Sequence, residues 1–289
     1  MTEVELLLPG RLAQADEEAL RRAVQLLESD TLAAKFTRAL GGQVDGLGRL
    51  MPTRARQFVA FATEHALRAA LKVSLRTLKS DGVSAPSSDR WHKTAAAASG
   101  AIGGAFGLSA LALELPVLTT ILMRSIADIA RAEGERLADP ETALACLEVF
   151  ALGKGEDAEA GIESGYLASR ALLARSVSES ARFILSSGAA ASSTPAMVRL
   201  VSQVAARFGV AVSEKAVAQS APVLGAFGGA AINAAFADHF QGLARGHFTV
   251  RRLERRYGAE LVRAEYARAL QLRRDRGAQA SRERQAASA

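Results

Sequence analysis

Residues 52–78, PTRARQFVAFATEHALRAALKVSLRTL, decide how this chain folds. Pro52 suits the opening turn of a helix, where a missing N–H leaves no bond unmade. Beyond it, Phe58, Phe61, Leu67, Leu71, Leu75 and Leu78 recur every three or four positions, with one six-residue gap. That is the period of a helix, not of a strand. Strand signals are nearly absent from the rest of the chain.

Working outward, Asp16–Ser29 is rich in alanine and leucine, and Glu17 and Glu18 sit at the positive end of its helix. A short helix from Thr31 should stop at Gly41-Gly42, and Ser80–Asp89 is a loop. From Thr94 to Met123 the only charge is Glu114, and Pro116 is predicted to break the run, its second half reaching Leu137. Asp139 is placed to cap a helix with Pro140 in its first turn, ending near Gly153. Further helices are predicted at 162–186, 195–207, 213–257 (interrupted near Pro222) and 259–274. The expectation is an all-α, single multi-helix bundle of roughly ten helices. Within it, 1–90 forms an N-terminal helical region, 91–257 the core and 258–276 a basic helix, with 277–289 a disordered tail.

The chain has 289 residues, 49% hydrophobic and 23% charged, which suffices for a self-standing core. Aromatics are only 5%, so small side chains must let helices approach closely. A single cysteine, Cys146, excludes intrachain disulfides and cysteine-cluster metal sites. The acidic start, Glu3 and Glu5, and the short Leu6–Leu8 run do not read as a secretory signal. A cytoplasmic location is therefore expected, including a peripheral place on the inner face of the membrane. The net charge of +6 is uneven. Residues 245–284 hold twelve arginines against five acids, while the remainder has 24 bases and 25 acids.

Two small-residue segments echo each other, Gly103-Gly104-Ala105-Phe106-Gly107 and Gly225-Ala226-Phe227-Gly228-Gly229. Glycines four apart strip one side of a helix and let a partner come close. The uncharged run from Ala216 to Ala237 is long enough to span a bilayer. Its few strongly apolar residues supply only about −2 to −4 kcal/mol, opposed by Gln219, Pro222, Asn233 and glycines. Burial in the protein core is the reading these numbers favour.

Longer blocks point to a family. They are Gly100 to Pro116, Arg124-Ser125-Ile126-Ala127, Asp139-Pro140 and Phe150-Ala151-Leu152-Gly153, then Glu163-Ser164-Gly165-Tyr166 with Arg170. Ser213-Glu214-Lys215, Gly228 to Asn233, Asp238-His239-Phe240 and Ala244 to Phe248 follow in order. Over Trp91–Tyr257 the chain resembles EcsC family proteins. The resemblance implies an association with transport, secretion or membranes, since the family is named for a protein encoded beside a bacterial ABC-type exporter. It implies no defined reaction.

The residues themselves carry no strong catalytic signature. The histidines His65, His92, His239 and His247 form no helix-borne zinc motif, and no phosphate loop or nucleophile elbow occurs. His239 and His247 are two helical turns apart and could share a face, though a structural role is the plainer reading. Glu114, alone in an apolar run, needs a partner or a proton. Arg124 and Arg245 are the candidates, and capping the helix at Pro116 is the alternative. Tyr166 with Arg170, and Asn233 with Asp238, are polar groups at helical spacing. Cys146 reads as an inert core thiol.

The functional expectation is a non-enzymatic accessory protein at a membrane's cytoplasmic face, associated with transport or secretion. Its partners would be an anionic membrane surface or a membrane transporter. Arg251, Arg252, Arg255 and Arg256 are the expected lipid contacts. The rival is a helical enzyme or small-molecule-binding protein with a pocket around Glu114, Tyr166, Asn233 and Asp238. No cofactor, metal or nucleic-acid partner is expected.

Overall fold

A computed structural model describes residues 11–29, 31–32, 34–36, 52–77, 111–152, 165–187, 194–219 and 225–287. These form helices α1 (Gln14–Leu27), α2 (Thr53–Thr77), α3 (Leu111–Ala132), α4 (Pro140–Glu148), α5 (Gly165–Ser187), α6 (Pro195–Gln219), α7 (Gly225–Tyr257) and α8 (Ala259–Ala287). A short 3-10 turn, Val149–Ala151, extends α4. No strand occurs among the described residues. The all-α bundle expected from periodicity is what forms.

The 33-residue α7 is the organising element. At 1.5 Å per residue it is about 50 Å long. It packs against α1, α3, α6, α8 and the 3-10 turn, while α2 lies against α3 and α6, and α5 against α4 and α6. Thus α1 and α2 are part of the same packed body as the later helices. Aromatics are few but concentrated. Phe150, Phe208, Phe236 and Phe240 interlock with ring centroids 4.8 to 5.9 Å apart, joining the 3-10 turn, α6 and α7. Their edge-to-face and tilted geometries are the favoured ones.

Several local expectations change. In α2 the buried stripe is Val59, Ala62, Ala66 and Ala70 with Leu67 and Leu71, whereas Phe58 and Phe61 face outward at 38% and 70% exposure. Small side chains there let α2 sit close to its neighbours, so the bulky rings are pushed to the outer side. Leu78 lies outside the described residues. Pro116 does not break its helix but lies inside α3. A proline inside a helix removes one intrahelical donor and leaves the remaining ladder to carry the helix on. The Thr120 hydroxyl donates to the Pro116 carbonyl at 2.7 Å. The helix stops instead at Gly134, in a left-handed conformation with φ 81°. There the Glu135 N–H reaches back to the Ala130 carbonyl at 3.0 Å, as glycine C-caps do. Asp139 precedes α4 but makes no side-chain cap. Its carboxylate accepts from Arg136 at 3.1 Å.

The stretch predicted as two helices around residue 210 is one, since Gly209 is carried within α6. The predicted tail also corrects: α8 runs on from 277 to Ala287. Its Ala, Arg, Gln and Glu content favours helix strongly enough to carry the one glycine, Gly277. The Gly100–Gly107 segment, the Gly41-Gly42 stop and Pro222 lie outside the described residues.

A side chain added at Gly209 would meet nothing within 4 Å. Gly209→Ala should therefore stabilise the protein by about 0.5–1 kcal/mol, through helix propensity alone. A thermal melt showing a raised Tm is the expected result.

Candidate functional site

Two buried polar clusters sit on α7, with a set of ion pairs at its C-terminal end. The first is built on Glu114, which α3 projects into the core. Its partner is neither Arg124 nor Arg245 but Lys215 of α6. Lys215 Nζ donates to Glu114 Oε1 at 2.7 Å, with the two side chains 0% and 4% exposed. Asn233 of α7 donates to the same oxygen at 2.8 Å, and Gln219 to the other at 3.4 Å. Burial pulls the Lys215 ammonium below its ordinary range, and Glu114 pulls it back in part. Polar groups from α6 and α7 thus converge on the Glu114 carboxylate of α3 in the interior.

The second cluster centres on His247, two-thirds of the way along α7. The Tyr166 hydroxyl lies 3.1 Å from His247 Nδ1. Arg170, one turn on from Tyr166, donates to that hydroxyl at 3.3 Å and to both Glu254 oxygens at 2.8 and 3.0 Å. The hydroxyl donates to Nδ1 in one histidine tautomer and accepts from Nδ1–H in the other. Nε2 has no hydrogen-bond partner among the described residues. It faces Glu148 Oε2 of α4 at 4.0 Å, too far for a bond. Burial holds His247 well below the usual imidazole range, with Arg170 and Arg251 adding to the effect. Burial likewise pushes the Tyr166 phenol upward.

At the end of α7 the four arginines expected to contact lipid each form ion pairs. Arg251 bonds Glu135 at 2.8 Å, and Arg255 pairs with the same carboxylate. Arg252 bridges Glu133 at 2.7 Å and Asp16 at 3.0 Å, while Arg256 takes Asp16 at 2.9 Å. The Gly134 turn holds Glu133 and Glu135 under α7, and α1 supplies Asp16. Burial alone would raise Asp16. Hydrogen bonds from Tyr257 and Arg252 and the charges of Arg252 and Arg256 outweigh it, so its pKa is lowered. All four arginines are therefore ion-paired to acids distant in sequence, while the Arg255 and Arg256 side chains stay 43% and 54% exposed.

The rival pocket does not assemble either. Asn233 and His247 are fourteen residues apart on one helix, about 21 Å, so Glu114 and Tyr166 belong to separate clusters. Asp238 is exposed. His239 is buried against Lys35, whose Nζ is 3.2 Å from Nδ1. Burial, then Lys35, pushes His239 down to about 3. It does not meet His247. His65 is exposed, and His92 lies outside the described residues. Cys146 is buried, with its thiol pushed up to about 12, chiefly by that burial. No group of three metal-ligating side chains comes together among the described residues.

Sequence reasoning passed over Lys215, Glu148 and Glu254. A signal existed for two of them. Lys215 is the only cation between Arg207 and Asp238, and Glu148 the only charge between Glu141 and Lys154. Glu148 is isolated much as Glu114 is, whereas Lys215 adjoins Glu214.

Past Leu270, the last buried residue of α8, the helix continues with none. Arg274, Arg276, Arg282 and Arg284 are exposed and form no ion pair among the described residues. The nearby acids are held by glutamines, Asp275 by Gln271 and Glu283 by Gln279, at 3.0 and 3.1 Å. One described helix, α6, is long and apolar enough to cross a membrane, and 44% of its apolar window is buried inside the fold.

Comparison with protein-family models matches residues 11–253 to a family described as the EcsC protein family. The match takes in α1 and α2, ahead of the blocks that carry the resemblance in sequence. No curated protein and no solved structure is matched.

Proposed function

The chain belongs to the EcsC protein family, and from that membership we propose that it is a helical accessory protein acting by contact with an anionic membrane surface through the distal half of α8. The observation that carries this reading is the charge of residues 271–287. Five arginines stand against two acids on a stretch of α8 with no buried residue. That stretch is about 25 Å long. It lies beyond the matched residues 11–253, so its role is argued from its own charge and exposure. At 100° per residue the arginines ring the helix and do not share one face. Contact is therefore electrostatic, without insertion, and sensitive to salt. The resemblance to a family named for a protein encoded beside an exporter makes a membrane transporter the first protein partner to test.

A surplus of three charges at about 1 kcal/mol each favours acidic over neutral lipid by roughly a hundred-fold. Co-sedimentation with phosphatidylcholine vesicles, with and without phosphatidylglycerol, tests this. The full chain should pellet only with the acidic vesicles and be released by high salt. Arg274→Glu, Arg276→Glu, Arg282→Glu and Arg284→Glu together should abolish pelleting. Equal pelleting of that variant would overturn the reading, as would tighter binding to duplex DNA than to either vesicle.

A further inference from the structure

We propose that Glu148 is a buried proton-binding site, and that the proton it holds keeps Arg170 and Arg251 on their own carboxylates, tying α5 and the turn before α4 to α7. The geometry leaves the carboxyl in an unusual position. It ends α4, its side chain is 7% exposed, and it makes no hydrogen bond among the described residues. Every group around it already has a commitment. Tyr166 of α5 occupies His247 Nδ1. Arg170 of α5 is spread over Tyr166 and Glu254. Arg251 of α7 is held by Glu135 of the turn before α4. Arg207 of α6 is bonded to Ser169 and to the Ala151 carbonyl in the 3-10 turn. The remaining polar atom is His247 Nε2, 4.0 Å away and not in hydrogen-bonding contact.

A neutral carboxyl tolerates such a place, whereas a carboxylate does not. Burial pushes Glu148 up to about 7, against the attraction of Arg170 and Arg251 and with help from Glu254. Once ionised, Glu148 competes for the two arginines. Drawing Arg170 from Glu254 opens the α5–α7 contact, and drawing Arg251 from Glu135 opens the clasp beneath α7.

The folded-state affinity for the proton is raised. Its stabilising effect is therefore complete at low pH and is lost as pH rises through about 7. His239 and His247 act the other way. Both are depressed in the fold, so they favour folding as pH rises past the free imidazole range. The useful readout is therefore the comparison of wild type with Glu148→Gln, which keeps the neutral shape and both histidines.

Urea denaturation of the full chain at pH 6 and pH 8.5 gives that comparison. The ratio of the two proteins' folding equilibrium constants should shift by about ten-fold between these pH values, wild type weakening relative to the variant. A ratio constant within about two-fold would overturn the proposal. If Glu148→Gln does not fold, carbon-13 NMR of the wild-type glutamate carboxyls decides. One carboxyl titrating near neutrality is expected, and every glutamate titrating in the ordinary carboxylate range would refute the site.

Discussion

Glu114→Ala should cost the folded protein about 3–5 kcal/mol, because it strands the Lys215 ammonium in an interior where water cannot reach it. The two side chains are 4% and 0% exposed and 2.7 Å apart. Lys215→Met should cost a similar amount, leaving a buried carboxylate with only the Asn233 and Gln219 amides as donors. The double change Glu114→Leu with Lys215→Met should be far milder than the sum, since a buried pair exchanged for apolar groups of similar size is often neutral. Urea denaturation of the three variants measures both the single costs and the coupling. Single costs below about 1 kcal/mol would mean that the pair is open to water. Each helix that meets here, α3, α6 and α7, carries one indispensable member of the cluster.

The second large effect is at Gly246. A Cβ built there would lie 2.6 Å from Leu27 Cγ and 3.1 Å from the Ala23 carbonyl oxygen. Leu27 is buried at 1% exposure and the carbonyl is backbone, so neither can yield cheaply. Alanine gains up to about 1 kcal/mol of helix propensity over glycine. Overpacking costs about 1–3 kcal/mol and exceeds that gain. Gly246→Ala should therefore destabilise, and Gly246→Val should do so more severely. The damage should be local, raising hydrogen exchange along α1 as that helix lifts from α7. Leu27→Ala in the Gly246→Ala background should recover part of the loss. A gain in Tm for Gly246→Ala, like that expected at Gly209, would refute the close approach.

Much of the helical frame was legible in sequence. Pro52 and Pro140 mark true helix starts, and the boundary at Gly258 between α7 and α8 falls where the pattern put it. These signals are local, set by backbone freedom and by which N–H groups a helix start can spare. What could not be read was pairing at long range. Asp16 lies 236 and 240 residues from Arg252 and Arg256, and nothing near those arginines announces that their partner comes from α1. A run of arginines looks the same whether acids from other helices meet it or not. Glu148 stands alone among apolar residues as Glu114 does, whereas Lys215, next to Glu214, looks like part of a solvated pair. In α2, alanines rather than phenylalanines form the buried stripe. Close helix packing rewards small size there, and a hydrophobicity pattern weights the larger residue.

One part of the molecule is expected to meet a charged surface. With the four arginines at the end of α7 ion-paired, that part is the stretch of α8 beyond Leu270. An environment-sensitive fluorophore on Ser281→Cys reports on it directly, since Cys146 is buried and its thiol stays protonated. Titration with phosphatidylglycerol-containing vesicles should shift the emission to the blue, with reversal by salt and no response to phosphatidylcholine. An unchanged spectrum while the protein nevertheless binds acidic vesicles would contradict the account, because contact would then be made elsewhere on the fold.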